Sequence, residues 1–459
     1  MHQGAIWLAI RAATDSTAVN ARYLFLRFRL AEATAILSPS ISPTAADGSR
    51  VTKSSRSLTA WSLFLGIALL QAGVGLQRPL LGLRAEDAGF GALIASLVMT
   101  AYYAGFILGT RYTGKLLSEV GHIRTFAGLA STASSIVLFQ GLWVNPVAWG
   151  VCRLVFGFCV AALYVVAESW LNDVATNENR GRLLSSYMVL AVGATMVGQY
   201  SVGLSSTAGF TLFAVASVLV SMSLVPIALS SRSSAPTSIP EPMTFRTLYS
   251  IVPTGLVVCC LTGMMIGSLV GIGPIYGAYQ GWSALQIANF VGAPLVGSLI
   301  LQIPLGRLSD RVPRRGVMTV ASAGAASLCF VLTFLNGTDG LSLLCLVLMG
   351  GLAYPTYSMS VAYTNDWVNA EQRIAAAALL VRVHGIGSLI GPLVTGLILT
   401  RSVKSFFYFP FCVLLVLTLY LLYRICTHDA PTVDEQSKFQ PFPLRASRMV
   451  ASMMYRRRP

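Results

Sequence analysis

The chain has 459 residues, 55% hydrophobic and 11% charged, with a formal net charge of +15. A soluble domain is about a quarter charged, and a core this apolar would leave large greasy patches in water, so the composition calls for lipid as solvent. The positive charge is scattered through short connecting segments, which excludes a nucleic-acid partner as its explanation.

Residues 1–56 hold no spanning segment. The stretch "ARYLFLRFRLAEATAIL" (21–37) is basic and apolar, then Ser, Pro and Thr follow. It suits the surface of a membrane and is too charged for a signal-peptide core. No Met stands between Met1 and Met99. The leader is therefore expected either to be missing from the working protein, with a non-Met start near Val51, or to be carried disordered.

A helix that crosses a bilayer needs roughly 20 mostly apolar residues, because hydrocarbon satisfies no backbone polar group. Such stretches are predicted at 58–82, 88–111, 124–143, 147–172, 181–205 and 208–229. The segment "SSRSSAPTSIPEPMTFR" (230–246) has linker chemistry. Six more spans follow, at 250–275, 283–305, 316–336, 339–363, 373–400 and 403–425. The predicted fold is all-α: twelve transmembrane helices in two pseudo-symmetric six-helix bundles, 57–229 and 250–425. A linker at 230–249 joins them, and a basic tail at 426–459 ends in "YRRRP". The tail either meets anionic lipid or is simply solvated.

With the first span starting inside, the connections on one side hold Arg111, Lys115, Arg124, Arg180, Arg182, Arg232, Arg246, Arg307, Arg311, Arg314, Arg315 and Arg373. The other side holds Arg84, Arg401 and Lys404. Positive residues gather on the cytoplasmic face. This predicts a multi-pass protein of the bacterial inner membrane with linker and both termini cytoplasmic. The eight cysteines form no CxxC pair and read as small hydrophobes rather than metal ligands or disulfides. No metal or cofactor is expected.

"LYVVAESWLND" (163–173) is echoed by "TYSMSVAYTND" (356–366), with Val361 where Glu168 stands. A shift of 192 to 193 residues superimposes the halves: Gly89 falls on Gly281, Gly114 on Gly306, Tyr164 on Tyr357, Asn172 on Asn365, Asp173 on Asp366 and Gly198 on Gly391. So many matches in one register mean duplication. Parallel repeats about an axis normal to the membrane put a polar cavity at their interface, which rocking exposes to each side in turn.

The segment "GRLSDRVPRR" (306–315) has Gly, four residues to Asp, then Arg and further basics. In this it resembles the signature of the major facilitator superfamily between spans 8 and 9. The matching residues are Gly306, Asp310, Arg311, Arg314 and Arg315, with Pro313 where Gly is usual. The resemblance implies a cytoplasmic latch that holds one of two states. The first copy, "GKLLSEVGHIR" (114–124), departs: Ser118 takes the Asp position and Glu119 comes next. Either Glu119 serves from one residue over, or this latch is weaker. With Gly114, Gly121, Arg124, Arg180 and Arg373 these residues form the expected gate. The "GHIR" ending and "AESWLN" together resemble the YcaD-like bacterial branch.

An ionised side chain at the centre of a spanning helix costs about 2.5–3.5 kcal/mol on insertion scales. Each one therefore asks for a partner or a wet cavity. At about 100° per residue, Gly157, Tyr164, Glu168 and Asn172 share one stripe of span 4. A carboxyl there can bind and release protons in a cavity, or it is an interfacial acid paired with Arg180 or Arg182. Arg153 lies roughly 22 Å from it along the helix. "RLVFG" (153–157) resembles the span-4 Arg motif of proton-coupled members; the alternative is a structural Arg. Arg78 either lines the cavity or snorkels outward. Arg382 and His384 are about 200° apart, so only one faces the cavity, and His384 can instead be a packing residue. Gln199 and Tyr200 are further candidates for contact.

Three embedded Arg against one Glu point to an anionic solute, a carboxylate or phosphate ester. The chain carries no nucleophile–base constellation, no HExxH and no P-loop, so no enzyme or ATP-driven pump is expected. It is read as a secondary transporter of a small organic solute, proton-driven and monomeric. Multidrug efflux is the alternative. It is weakened because span 5 reads "VGQY" without the Gly-Pro of exporters, while span 11 reads "IGPLVTG". A non-transporting sensor would need a larger soluble domain than the tail offers.

Overall fold

The computed structural model describes residues 45–175, 180–229, 243–369, 371–402, 405–429 and 431–439. For 45–60, 172–174, 180–181 and 435 it describes the backbone alone. Met1–Arg56 and Ser57–Pro459 are separate units, and every span belongs to the second. The leader up to residue 44, linker residues 230–242 and tail residues 440–459 lie outside the described residues, as does Lys404.

Among the described residues, twelve helices are long and apolar enough to cross a membrane. In chain order, spans 1 to 6 are Trp61–Asp87, Ala92–Val120, His122–Leu142, Pro146–Leu171, Arg182–Leu204 and Thr211–Ala228. Spans 7 to 12 are Pro253–Tyr279, Ala284–Leu308, Arg314–Leu332, Gly340–Trp367, Arg373–Leu399 and Tyr408–Thr427. No strand occurs among the described residues. Local chemistry fixes several ends. The Asn145 side chain accepts from the amides of Val147 and Ala148, with Pro146 in the first turn of span 4, where its missing N–H costs nothing. Ser283 and Gln286 form a reciprocal capping box at the start of span 8.

Span 2 runs well past its predicted end at 111. The segment "YTGKLLSEV" offers no break, and Lys115 and Glu119 pair one turn apart at 3.9 Å. The helix stops only at Gly121, whose φ of 85° is readily adopted by glycine. Gly114 and Glu119 therefore stand on a helix and not in a loop, which corrects the reading of this connection. A short helix, Phe245–Ile251, likewise occupies part of the predicted linker.

Duplication is visible in how the backbones touch. A Cβ on Gly198 would run into the carbonyl of Ala72, and one on Gly391 into that of Met264. Gly75 abuts Thr195 as Gly267 abuts Ser388. Gly105 meets Leu154 as Gly297 meets Val347, and Gly157 meets Tyr102 as Gly350 meets Pro294. Each pair is related by the sequence shift of 192 to 193. Spans 1 and 5 thus lock as 7 and 11 do, and spans 2 and 4 as 8 and 10 do. Small residues let helices come this close in lipid, where packing replaces the hydrophobic effect between helices.

The two halves also meet. At the end remote from the linker, Gly82 packs on Pro274 and Gly396 on Ser96. Tyr200 Oη donates to Asn289 Oδ1 at 2.8 Å, and Tyr279 donates to the Phe90 carbonyl. Toward the linker end the halves part around a cavity, where Ser185 of span 5 and Ile303 of span 8 both line its wall. The packing yields a test. Gly157→Val and Gly350→Val each force a side chain into a facing helix, and overpacking costs about 1–3 kcal/mol or more. Gly150→Val meets open space. The first two should lower the melting temperature of purified protein by several degrees and the third should leave it unchanged.

Candidate functional site

The cavity between the halves has a volume of about 210 Å³, below the range of about 300–1,000 Å³ usual for drug-sized ligands. Its two walls differ. The N-terminal half contributes Gln71, Arg78, Tyr102, Tyr103, Tyr164 and Tyr187. The C-terminal half contributes Ile266, Val270, Leu295, Leu299 and Ile303, interspersed with Ser298, Gln302, Tyr354, Ser358, His384 and Ser388, and no cation among the described residues. No carboxylate is among the lining residues described.

Behind the polar wall the buried groups are chained together. Tyr164 donates to Gln71 Oε1. Tyr187 Oη, on span 5, donates to Glu168 Oε1 at 2.9 Å. Glu168 is fully buried, one shell behind the cavity, with Tyr187 between. Arg153 Nη1 donates to Gln77 Oε1 at 3.1 Å, and Gln77 Nε2 donates to Gln140 Oε1 at 2.9 Å. The Trp149 indole N–H closes this chain on the Gln140 carbonyl at 3.0 Å. The Arg153 guanidinium also lies 4.6 Å from the centre of the Tyr102 ring, a cation–π distance.

A second cluster sits at the linker end of spans 8 to 10. Arg314, at the start of span 9, donates from Nε to Asp366 Oδ2 at 2.9 Å, and both side chains are fully buried. Its Nη2 reaches Asp310 Oδ1 at 3.4 Å. The tail is part of this cluster. Ser437 donates to Asp366 Oδ1 from its amide at 3.0 Å and from its hydroxyl at 2.7 Å. Arg314 donates to the Ser437 carbonyl. The Phe439 amide donates to Asp310 Oδ1 at 2.7 Å, and its ring lies on Gly306, where a Cβ would strike it. Arg315 holds the carbonyls of Arg424 and His428 at 2.6 and 2.8 Å. Ser437 and Phe439 thus dock the described end of the tail on this cluster, while the basic stretch "YRRRP" lies outside the described residues.

A family profile described as Major Facilitator Superfamily matches residues 63–295 and 255–459. The chain belongs to this superfamily. An uncharacterized MFS-type transporter named YcaD, from Escherichia fergusonii, is 25% identical over 377 residues, covering 81% of this chain and 97% of the relative. A counterpart from Enterobacter sp. is 26% identical over 374 residues, covering 80% of this chain and 96% of its own. These relatives place the chain in the YcaD-like branch. Among solved structures, the nucleoside transporter NupG (D323A mutant) aligns with a TM-score of 0.68 at 11% identity, covering 80% of this chain and 99% of that one. A bacterial homologue of the lysosomal transporter Spinster, inward-facing and occupied, aligns at 0.67 with 13% identity, covering 83% and 98%. The chain is a multi-pass membrane transporter, and its cargo is a small-molecule solute.

Within the superfamily fold the predicted residues separate. Arg78, Tyr164 and His384 line the cavity; Glu168, Arg153, Gln199 and Arg382 do not. Of the two span-11 candidates, His384 faces inward. Gln199 is buried near Gly292 of span 8, and Tyr200 clasps Asn289, so both belong to the closed end. The side chains of Asn172 and Arg180 lie outside the described residues. At the gate, Gly306, Asp310, Arg314 and Arg315 come together, while Arg311 is exposed and Arg373 half-buried. On the other half, Gly114 is half-buried, and Glu119 and Arg124 are exposed. The contact found for Glu119 is Lys115, itself exposed.

Tyr187, Tyr102 and Tyr354 are not among the residues that sequence reasoning singles out. Nothing in a tyrosine on an apolar helix marks the direction it faces. Asp366 stands out in the sequence as a repeat marker alone, because its contact with Arg314 of the signature spans 52 residues. The two branch motifs also prove to touch: His122 Nε2 lies 2.9 Å from Ser169 Oγ, and its ring stacks on Trp170 at 5.5 Å. Removing one partner of a buried pair costs about 3–5 kcal/mol, whereas an exposed pair contributes about 0–1 kcal/mol. Asp366→Asn should therefore sharply lower the thermal stability of purified protein, and Lys115→Gln should leave it unchanged.

Proposed function

We propose that this chain is a secondary active transporter that moves a small organic solute, read as an anion, across the bacterial inner membrane by alternating access coupled to protons. It is read as working as a monomer, with linker and both termini cytoplasmic and the cavity facing the cytoplasm in this conformation. The observation that carries the reading is the pairing of a cavity-lining hydroxyl, Tyr187, with the buried carboxylate of Glu168. A buried acid one side chain away from the solute space can exchange a proton whenever Tyr187 shifts. The solute and the proton then report to the same two-state element.

The gate follows the same logic. Asp310, Arg314, Arg315 and Asp366 brace the linker end of the C-terminal half, and we read Gly306 and Arg311 as its contact with the opposite half in the alternate state. The exposed Lys115–Glu119 pair makes the first-half latch the weaker one. A second reading, multidrug efflux, is favoured by the apolar face of Ile266, Leu295 and Leu299.

The test uses a solute found by thermal-shift screening of metabolites and drugs. In membrane vesicles Glu168→Gln should abolish accumulation driven by a proton gradient while solute exchange across the membrane persists. Accumulation at the unmodified level would remove Glu168 from coupling. Proton-driven extrusion of unrelated lipophilic cations would favour efflux. A single cysteine at Pro240 should react with an impermeant thiol reagent only in opened cells; labelling in intact cells would reverse the orientation.

A further inference from the structure

Arg78 and Arg153 are 8% and 5% exposed and sit on spans 1 and 4. Both line a recess of about 10 Å³, with Tyr102, Tyr103 and Val270 among its other walls. The recess shares Arg78, Tyr102, Tyr103 and Val270 with the main cavity. No carboxylate lines either space among the described residues. Arg153 is held by the neutral Gln77 and by the Tyr102 ring. Arg78 Nη2, Arg153 Nε and the Tyr102 hydroxyl are buried and have no hydrogen-bond partner.

Two cations so placed are strongly unfavourable unless an opposite charge arrives. The duplication sharpens the asymmetry. A shift of 192 carries Arg78 onto Val270, which lines the same spaces, so charge stands on the N-terminal side and hydrocarbon opposite it. The recess has room for about one water-sized group. One oxygen fits; a planar carboxylate then leaves one more to place at the mouth, where a phosphoryl group leaves two against the aliphatic side chains.

We propose that this recess is the head-group subsite for an amphipathic monocarboxylate. Its oxygen takes the open N–H of Arg78 and the Tyr102 hydroxyl, and its apolar body lies against Ile266, Leu295 and Leu299. This rests on the transport reading above and narrows its solute class. Neutral analogues leave Arg78 unpaired. Cations are repelled by both guanidiniums.

Full-length protein in detergent is titrated by thermal shift with benzoate and octanoate, each beside its amide, and with phenyl phosphate and benzylammonium. A carboxylate should raise the melting temperature saturably, and the amides and the cation should not. Arg78→Gln should weaken the carboxylate at least about tenfold, as loss of a charge-assisted hydrogen bond does, and Arg78→Lys should restore part of it. Amides or benzylammonium acting as strongly as the carboxylates would overturn the proposal. So would unchanged affinity in a monodisperse Arg78→Gln protein, tighter binding of phenyl phosphate, or no response to any carboxylate. If Arg78→Gln does not fold, the acid-against-amide comparison on unmodified protein decides. Carboxylate binding without gradient-driven uptake in vesicles sinks the transport reading and keeps the subsite. Gradient-driven uptake of neutral or cationic solutes without carboxylate binding does the reverse.

Discussion

A polar group in hydrocarbon has to be met by the protein itself, and the arrangement of this molecule follows from how each one is met. The backbone is satisfied inside twelve helices. Several side chains are met in chains, Trp149 to Gln140 to Gln77 to Arg153, Tyr164 to Gln71, Tyr187 to Glu168, while Arg78 Nη2, Arg153 Nε and the Tyr102 hydroxyl beside the cavity stay open. These chains tie spans 1, 3, 4 and 5 together, alongside the glycine-against-carbonyl contacts that lock span 1 to 5 and span 2 to 4. Close packing brings polar groups within bonding distance, and the bonds fix the side chains that face the cavity.

The same constraint separates the two ends of the transporter. Away from the linker the halves are sealed by small residues and two cross-half hydrogen bonds. At the linker end the C-terminal half is braced within itself, by Arg314 between two aspartates and by a tail segment that returns to cap them. The buried Arg314 guanidinium has two acidic partners, the Ser309 hydroxyl and a main-chain acceptor. The exposed Lys115–Glu119 pair on the other half is screened by solvent and holds little. Duplication supplied the same helix plan twice, and the two copies have since been loaded differently.

That unequal loading matters most in the cavity. Across the pseudo-twofold, Glu168 corresponds to Val361 and Arg78 to Val270. The N-terminal wall carries the cation, while the other holds aliphatic side chains among neutral hydroxyls, Gln302 and His384. Such a cavity orients what it binds, and the buried carboxylate of Glu168 stands behind its N-terminal wall alone.

Much of this was written in the chain. Length of apolar run gave twelve spans, because hydrocarbon thickness admits no alternative. The shift of 192 to 193 residues gave the two bundles, and "GRLSDRVPRR" marked residues that come together in the structure, with Arg314 reaching Asp310. Span 2 ends later than predicted because charged residues imitate a loop, while no helix breaker stands before Gly121. Only the tertiary structure decided which buried residues look into the cavity. Helical periodicity separates the faces of one helix but does not say which neighbour each face meets. Arg153 thus turned out to be held by Gln77 and Tyr102, Glu168 to stand behind Tyr187, and the tail to lie on Asp310 and Asp366. Those partners are 19 to 129 residues apart in the chain, and contacts at such separations are settled by packing alone.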